Sequence, residues 1–123
     1  MSESKWRFLL FGDGRDWFFE KRFGLFIHWG LYAINGFQEQ EMYRLRMPRE
    51  AYGKLAARFN PIHFDPDAWL DLAEAAGMEY VTFTAKHIDG FCMWDTAFSD
   101  FKVTNTPYGK DVLGQLADAC NRR

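Results

Sequence analysis

Residues 80–101, YVTFTAKHIDGFCMWDTAFSDF, decide how this chain is read. A short β-rich run, Tyr80 to Ala85, ends in Lys86, His87 and Asp89, and a cluster of aromatics follows. In an α/β protein, polar residues at the C-terminal end of a parallel strand are where ligands are met. A second copy of the arrangement lies upstream. RFGLFIHWG, Arg22 to Gly30, is again an apolar run that ends in a histidine, His28, beside Trp29 and Gly30. Two strand–histidine endings in 123 residues point to one polar pocket assembled from successive strand tips.

Working outward, residues 23–28 read as a buried strand in which Gly24 lowers the intrinsic preference. Residues 48–59 read as a helix with Pro48 at its first position and Ala51, Tyr52, Leu55, Ala56 and Phe59 on one face. Gly53 costs that helix about 1 kcal/mol relative to alanine. The clearest helix follows: Asp65 caps it, Pro66 opens it and Asp67 meets its positive dipole end. Trp69, Leu72, Ala73 and Ala76 recur at helical spacing, and Gly77 supplies the stop. Residues 80–85 form the second strand, with Val81, Phe83 and Ala85 on one face. A last helix over 110–121 carries Val112, Leu113, Leu116, Ala117 and Cys120 as its stripe, which predicts Cys120 as a small core residue.

Strands alternating with helices argue for an α/β fold with a parallel sheet. Two such strands leave both sheet edges open. The competing arrangement is a small α+β domain that closes on itself with the Phe-rich N-terminus.

Composition narrows the function classes. The chain is 48% hydrophobic and 26% charged with a net charge of −2, so no electrostatic case exists for nucleic acid or an anionic membrane. Aromatics reach 19%, including thirteen phenylalanines; rings stack on the apolar faces of sugars and also fill cores. The N-terminus, MSESKWRFLLFGDGRDWFF, breaks its apolar run with Asp and Gly where a signal peptide needs continuity. No run approaches a membrane span, and the two cysteines form no CxxC, so a reducing cytoplasm is the expected compartment.

Among residues able to do chemistry, His28 and His87 lead, each at a strand end, and together they fit a sugar-type pocket. His63, before a helix cap in NPIHFDPD, reads as structural or surface. Three scattered histidines and two separate cysteines make no metal site, and no cofactor is expected. No serine lies in a nucleophile elbow, and no glycine-rich phosphate loop is present. Carboxylates are plentiful: EQE at 39–41 follows the first strand, and Asp89, Asp95 and Asp100 follow the second. Two carboxyls about 5–5.5 Å apart would suit retaining glycoside hydrolysis, although solvated loop charges and turn caps are the commoner use of such acids.

RDWFFEKRFGLFIHWGLYAI (15–34), NPIHFDPDAWLDLAEAAGMEYVTFTAKHIDGFCMWDT (60–96) and DFKVTNTPYGKDVLGQLADAC (100–120) resemble the N-terminal part of glycoside hydrolase family 29, the α-L-fucosidases. The resemblance implies a β/α barrel of the TIM type. Such a barrel takes about 250 residues, so the expectation is a truncated portion holding its first two β/α units, with residues 1–123 forming a partial catalytic domain. In the family the FIHWG histidine contacts fucose, which here is His28. A glutamate of the following loop also holds the sugar; Glu39 within FQEQEMYR is matched to it, with Glu41 as the alternative. The family's Lys-His-His-Asp-Gly-Phe run appears as KHIDGF, so His87 matches the first histidine and Ile88 replaces the second. The resemblance further implies a double-displacement mechanism whose nucleophile and acid/base lie beyond Arg123, leaving no catalytic residue here. The implied partner is a fucosylated glycan or small fucoside. The rival reading is a non-catalytic carbohydrate-binding or structural remnant of such an enzyme.

Overall fold

Two apolar triplets form the centre of the molecule. In the computed structural model, which describes residues 11–123, β1 (Leu25–Ile27) pairs in parallel with β2 (Val81–Phe83). The register sets Leu25 opposite Val81, Phe26 opposite Thr82 and Ile27 opposite Phe83. Backbone bonds extend the ladder at both ends: Glu79 N–H donates to the Phe23 carbonyl at 2.8 Å, and Thr84 N–H to the Ile27 carbonyl at 3.0 Å. The ladder is thus shorter than the 23–28 and 80–85 runs expected, but it lies within both. Parallel pairing also rules against the closed α+β alternative for the described residues, and residues 1–10 of its Phe-rich N-terminus lie outside them. The molecule is α/β.

Gly24 has a positive reason to be glycine. A Cβ built there would overlap the ring of Tyr80, which lies against the start of β1. Tyr80 is covered in turn by α1 (Trp17–Lys21), whose Trp17 and Phe18 rings stand 5.9 and 5.1 Å from it.

The long connection from β1 to β2 holds a 3-10 helix (Leu31–Asn35), α2 (Glu41–Arg44), α3 (Arg49–Gly53), a second 3-10 turn (Lys54–Arg58) and α4 (Pro66–Ala75). The single helix expected over 48–59 is therefore broken. It changes from α to 3-10 geometry after Gly53, the residue of least helix preference in its interior. Most of its apolar face survives the change: Tyr52, Leu55 and Phe59 are buried and Ala56 partly so, whereas Ala51 is exposed. A third 3-10 turn (Val103–Asn105) and α5 (Val112–Asn121) follow β2.

Helix α4 begins where Asp65 accepts hydrogen bonds from the N–H groups of Asp67 and Ala68 at 3.0 and 3.2 Å, with Pro66 at the first position. Both long helices lie on one face of the sheet. Leu70 of α4 and Leu116 and Ala119 of α5 pack together against Val81 and Phe83. Two stripe assignments shift accordingly. Leu70 and Ala73 are the buried residues of α4, while Leu72 is 74% exposed and Ala76 is exposed. In α5 the buried set is Val112, Leu116 and Ala119, an i, i+4, i+7 series, which turns Cys120 outward to an exposed position.

The larger core lies beyond the strand tips. Leu31, Tyr52, Leu55, Phe59, Phe91, Met93, Val103 and Val112 form one buried cluster, with Trp29, Phe64 and Phe83 against it. All eight of these buried residues lie outside the two strands, on the connections and on α5. The opposite sheet face, marked by Phe26 at 65% exposure and by exposed Thr82, carries no helix among the described residues. Among those residues no helix is long and apolar enough to cross a membrane.

Replacing Asp65 with alanine leaves two N–H groups of α4 without their acceptor, and the expected loss of stability is about 1 kcal/mol. Urea denaturation of the two proteins side by side measures it; an unchanged midpoint would remove the cap from the account.

Candidate functional site

Parallel pairing sends both chain segments out of the sheet at the same end, so His28 and the segment Thr84–His87 emerge side by side. The ring centroids of His28 and His87 are 5.4 Å apart. His28 follows Phe26 on the helix-free face of the sheet, and the two rings stand 4.7 Å apart. The Thr84 hydroxyl lies within long hydrogen-bonding distance, 3.4 Å, of both His28 nitrogens. His28 is exposed, and His87 is half-buried with its Nδ1 shielded from solvent and without a partner among the described residues.

The turn that carries His87 is tightly built. Gly90 N–H donates to the His87 carbonyl at 3.0 Å, and Gly90 takes φ of 83°, a left-handed value that favours glycine. Beyond the turn, Met93 N–H returns to the Ala85 carbonyl at 2.9 Å, and Cys92 exchanges backbone bonds with Phe101 and Val103. Asp89, expected among solvated acids or turn caps, is a cap but not a solvated one. It is 4% exposed; its Oδ1 accepts the Phe91 N–H at 3.2 Å and its Oδ2 accepts the Tyr52 hydroxyl at 2.5 Å.

The loop after β1 folds over the same end of the sheet. Gly36, at φ 65°, closes the first 3-10 helix, and the chain then turns into α2. Tyr43 of α2 donates its hydroxyl to the Ile88 carbonyl at 3.3 Å, which brings the loop against the His87 turn. Of the two glutamates weighed from the sequence, Glu39 is half-buried and Glu41 is 1% exposed. Asn35 donates to Glu41 Oε1 at 2.7 Å, whereas Glu41 Oε2 is buried without a partner among the described residues. The Tyr32 hydroxyl is in the same condition. Burial first, then the charges of Asp89 and Glu39, push the Tyr32 phenol well above its ordinary range, so it remains protonated.

Unmet hydrogen-bonding capacity therefore concentrates at one end of the molecule: Tyr32, Glu41 and His87. Each buried polar atom left unpaired costs about 1–3 kcal/mol, and such costs are commonly tolerated where a ligand is met. Tyr32, Asn35, Tyr52 and the buried state of Asp89 were not marked by sequence reasoning. Tyr52 was legible only as an apolar helix face, since a hydroxyl's partner 37 residues away leaves no local signal. Among the described residues no group of three or more His, Cys, Asp or Glu gathers to hold a metal ion. His63, expected to be structural or surface, is exposed.

Two other features lie apart from this cluster. Asp95 binds the Lys102 ammonium at 2.7 Å and the Thr104 hydroxyl at 2.9 Å, ordering the loop before α5. A cavity of about 710 Å³ lies near the beginning of β2, lined by Trp17, Leu70, Tyr80, Cys120 and Arg123 among others. Its charged walls are already matched, Lys21 with Glu79 at 2.9 Å and Arg123 with Glu74 at 3.1 Å. The unsatisfied groups lie at the opposite end of the strand.

The hydrogen bond from Lys102, then that from Thr104, hold the Asp95 carboxyl below the usual carboxylate range. A carboxyl whose pKa is depressed on folding contributes stability above its unfolded pKa and loses it as pH falls through the folded value. Lys102→Met should therefore move the Asp95 titration midpoint upward, as read by NMR of the side-chain carboxyl. A midpoint that stays put would show that Lys102 does not set it.

Comparison with known proteins identifies relatives of this sequence and fold. The family model described as alpha-L-fucosidase matches residues 3–123. The chain is 34% identical to the tissue alpha-L-fucosidase of Rattus norvegicus over 87% of its own length and 27% of that protein. It superposes on alpha-L-fucosidase isoenzyme 1 from Paenibacillus thiaminolyticus with a TM-score of 0.83 and 46% identity, covering 89% of this chain and 26% of that one. A GH29 alpha-L-fucosidase from Bacteroides thetaiotaomicron, trapped as a covalent intermediate with 2-fluoro-fucosyl fluoride, gives a TM-score of 0.79 and 37% identity over 84% of this chain and 26% of that one. The chain spans about a quarter of the length of each of these proteins. Its match over nearly every residue places it in the α-L-fucosidase family, glycoside hydrolase family 29.

Proposed function

We propose that this chain supplies part of the fucose-binding pocket of a retaining α-L-fucosidase, built on the first two β/α units of a TIM-type barrel. The observation that carries the reading is the pair of histidine rings 5.4 Å apart at the tips of adjacent parallel strands. In barrels of this kind the substrate is met at that end of the strands. The substrate class follows from family membership, and the trapped fucosyl intermediate of the Bacteroides enzyme fits a double-displacement mechanism.

In this reading His28 and His87 donate or accept hydrogen bonds with sugar hydroxyls, and neither reacts. Imidazole suits the task because it offers one donor and one acceptor when neutral. Glu39 remains a candidate for the sugar-holding glutamate, and Glu41 is favoured over it by its burial and its unpaired Oε2. Two of the acids that follow the second strand are unsuited to the reacting pair: Asp89 is bound to Tyr52 and the Phe91 N–H, and Asp95 to Lys102 and Thr104. The nucleophile and the acid/base are assigned to parts of the barrel outside these residues.

The helix-free sheet face supports the barrel geometry. A parallel sheet is ordinarily covered on both faces, and Phe26, Thr82 and His28 would line the inside of a closed barrel, with α4 and α5 outside. Ile88, 55% exposed, presents an aliphatic chain beside His87 where the family's run has a second imidazole.

His28→Ala and His87→Ala in the full-length protein should each lower kcat/KM on an aryl α-L-fucoside by about 10- to 150-fold, the loss of a hydrogen bond worth about 1.5–3 kcal/mol. Wild-type kinetics in both variants would end the pocket assignment. Glu41→Gln and Glu39→Gln separate the two glutamates, with the larger fall in activity expected for Glu41. Ile88→His should change KM for the fucoside, and identical KM values would show that position 88 does not face the sugar.

A further inference from the structure

The turn bearing His87 is tied to the other β/α unit by a buried hydrogen bond. Asp89 sits inside that turn, two residues from His87, and accepts from Tyr52 of α3 at 2.5 Å. Both partners are buried, Asp89 at 4% and Tyr52 at 1% exposure. The other Asp89 oxygen holds the Phe91 N–H, so both carboxylate oxygens are engaged and the side chain has no freedom to drift. Tyr43 adds a weaker tie from the same connection, through the Ile88 carbonyl. Residues 88 and 89 of the turn are thus both bound to tyrosines of the β1–β2 connection.

The Tyr52 ring packs in the large core, and its hydroxyl is the polar exception within that cluster. Core filling needs only the ring, so phenylalanine would serve as well. Hydroxyl and carboxylate together form a charge-assisted bond of the short, strong kind. Burial, followed by the hydrogen bond to Asp89, raises the Tyr52 phenol far above its ordinary range, so it stays a donor at all ordinary pH values.

We infer that Tyr52 is a positioning residue for His87: its hydroxyl, acting through the Asp89 carboxylate, sets where the His87 imidazole stands beside His28. The inference rests on the pocket reading above. It adds that the geometry of one strand tip is set from the connection that follows the other. An imidazole that must meet a sugar hydroxyl within a few tenths of an ångström needs this kind of support.

The test is a double-mutant cycle in the full-length protein, with kcat and KM measured on an aryl α-L-fucoside and thermal stability followed in parallel. Tyr52→Phe should lower kcat/KM about tenfold when His87 is present and less than about twofold in a His87→Ala background. The fall in Tm should be the same in both backgrounds, which separates positioning from general loosening. An equal effect of Tyr52→Phe on kcat/KM in the two backgrounds, or none in either, overturns the inference while leaving the pocket intact. If His87→Ala alone has no effect, His87 does not hold the sugar and the inference falls; the pocket reading falls with it only if His28→Ala has no effect either. Asp89→Asn, which keeps the side-chain shape and removes the charge, should reproduce the same dependence on His87 and serves if Tyr52→Phe does not fold.

Discussion

Parallel pairing of Leu25–Ile27 with Val81–Phe83 is the constraint on which the rest of this molecule depends. Antiparallel strands would send His28 and His87 to opposite ends of the sheet. The parallel ladder sends them to the same end and requires the intervening chain to cross over, which α4 does on one face. Only three residue pairs form the ladder, so its stability comes from what packs on it. Leu70, Leu116 and Ala119 cover the helix side, and the loop core around Tyr52, Phe59, Phe91 and Met93 covers the strand tips.

Polar groups inside that support are arranged unevenly. Asp89 and Tyr52 satisfy one another, and Asn35 satisfies one oxygen of Glu41. Tyr32, the other Glu41 oxygen and His87 Nδ1 are left without partners among the described residues. A fully satisfied cluster would rigidify the loops and offer little to a ligand. A fully unsatisfied one would cost several kcal/mol and weaken the fold. The mixture fits a site whose loops are locked by some of its polar groups while others keep hydrogen-bonding capacity. Under the proposed function, a fucoside is the ligand that would use that capacity.

Much of this was legible in the sequence, and the parts that were not share a cause. Asp65-Pro66-Asp67 announces α4 because capping is a local event, settled within four residues. The strands, and the histidines at their ends, were legible because an apolar run ending in a polar turn is also local. The alternation of strand and helix was enough to choose parallel pairing. By contrast, the helix over 48–59 changes geometry after Gly53, while Tyr52, Leu55 and Phe59 stay buried across the change. The exposure of Cys120 and Leu72 follows from the rotation of α5 and α4 about their axes, which the sheet decides and the stripe alone does not. Asp89 looked like one loop acid among several because its partner, Tyr52, lies 37 residues away. Glu39 and Glu41 differ by two positions, and only the fold of the loop buries one of them fully.

The most direct measurement is a crystal structure of the full-length protein with α-L-fucose bound. The account predicts the sugar at the C-terminal tips of β1 and β2, with His28 and His87 both within hydrogen-bonding distance of its hydroxyls and Glu41 engaged through Oε2. Fucose bound elsewhere, or bound at the tips without contact to either histidine, would contradict it.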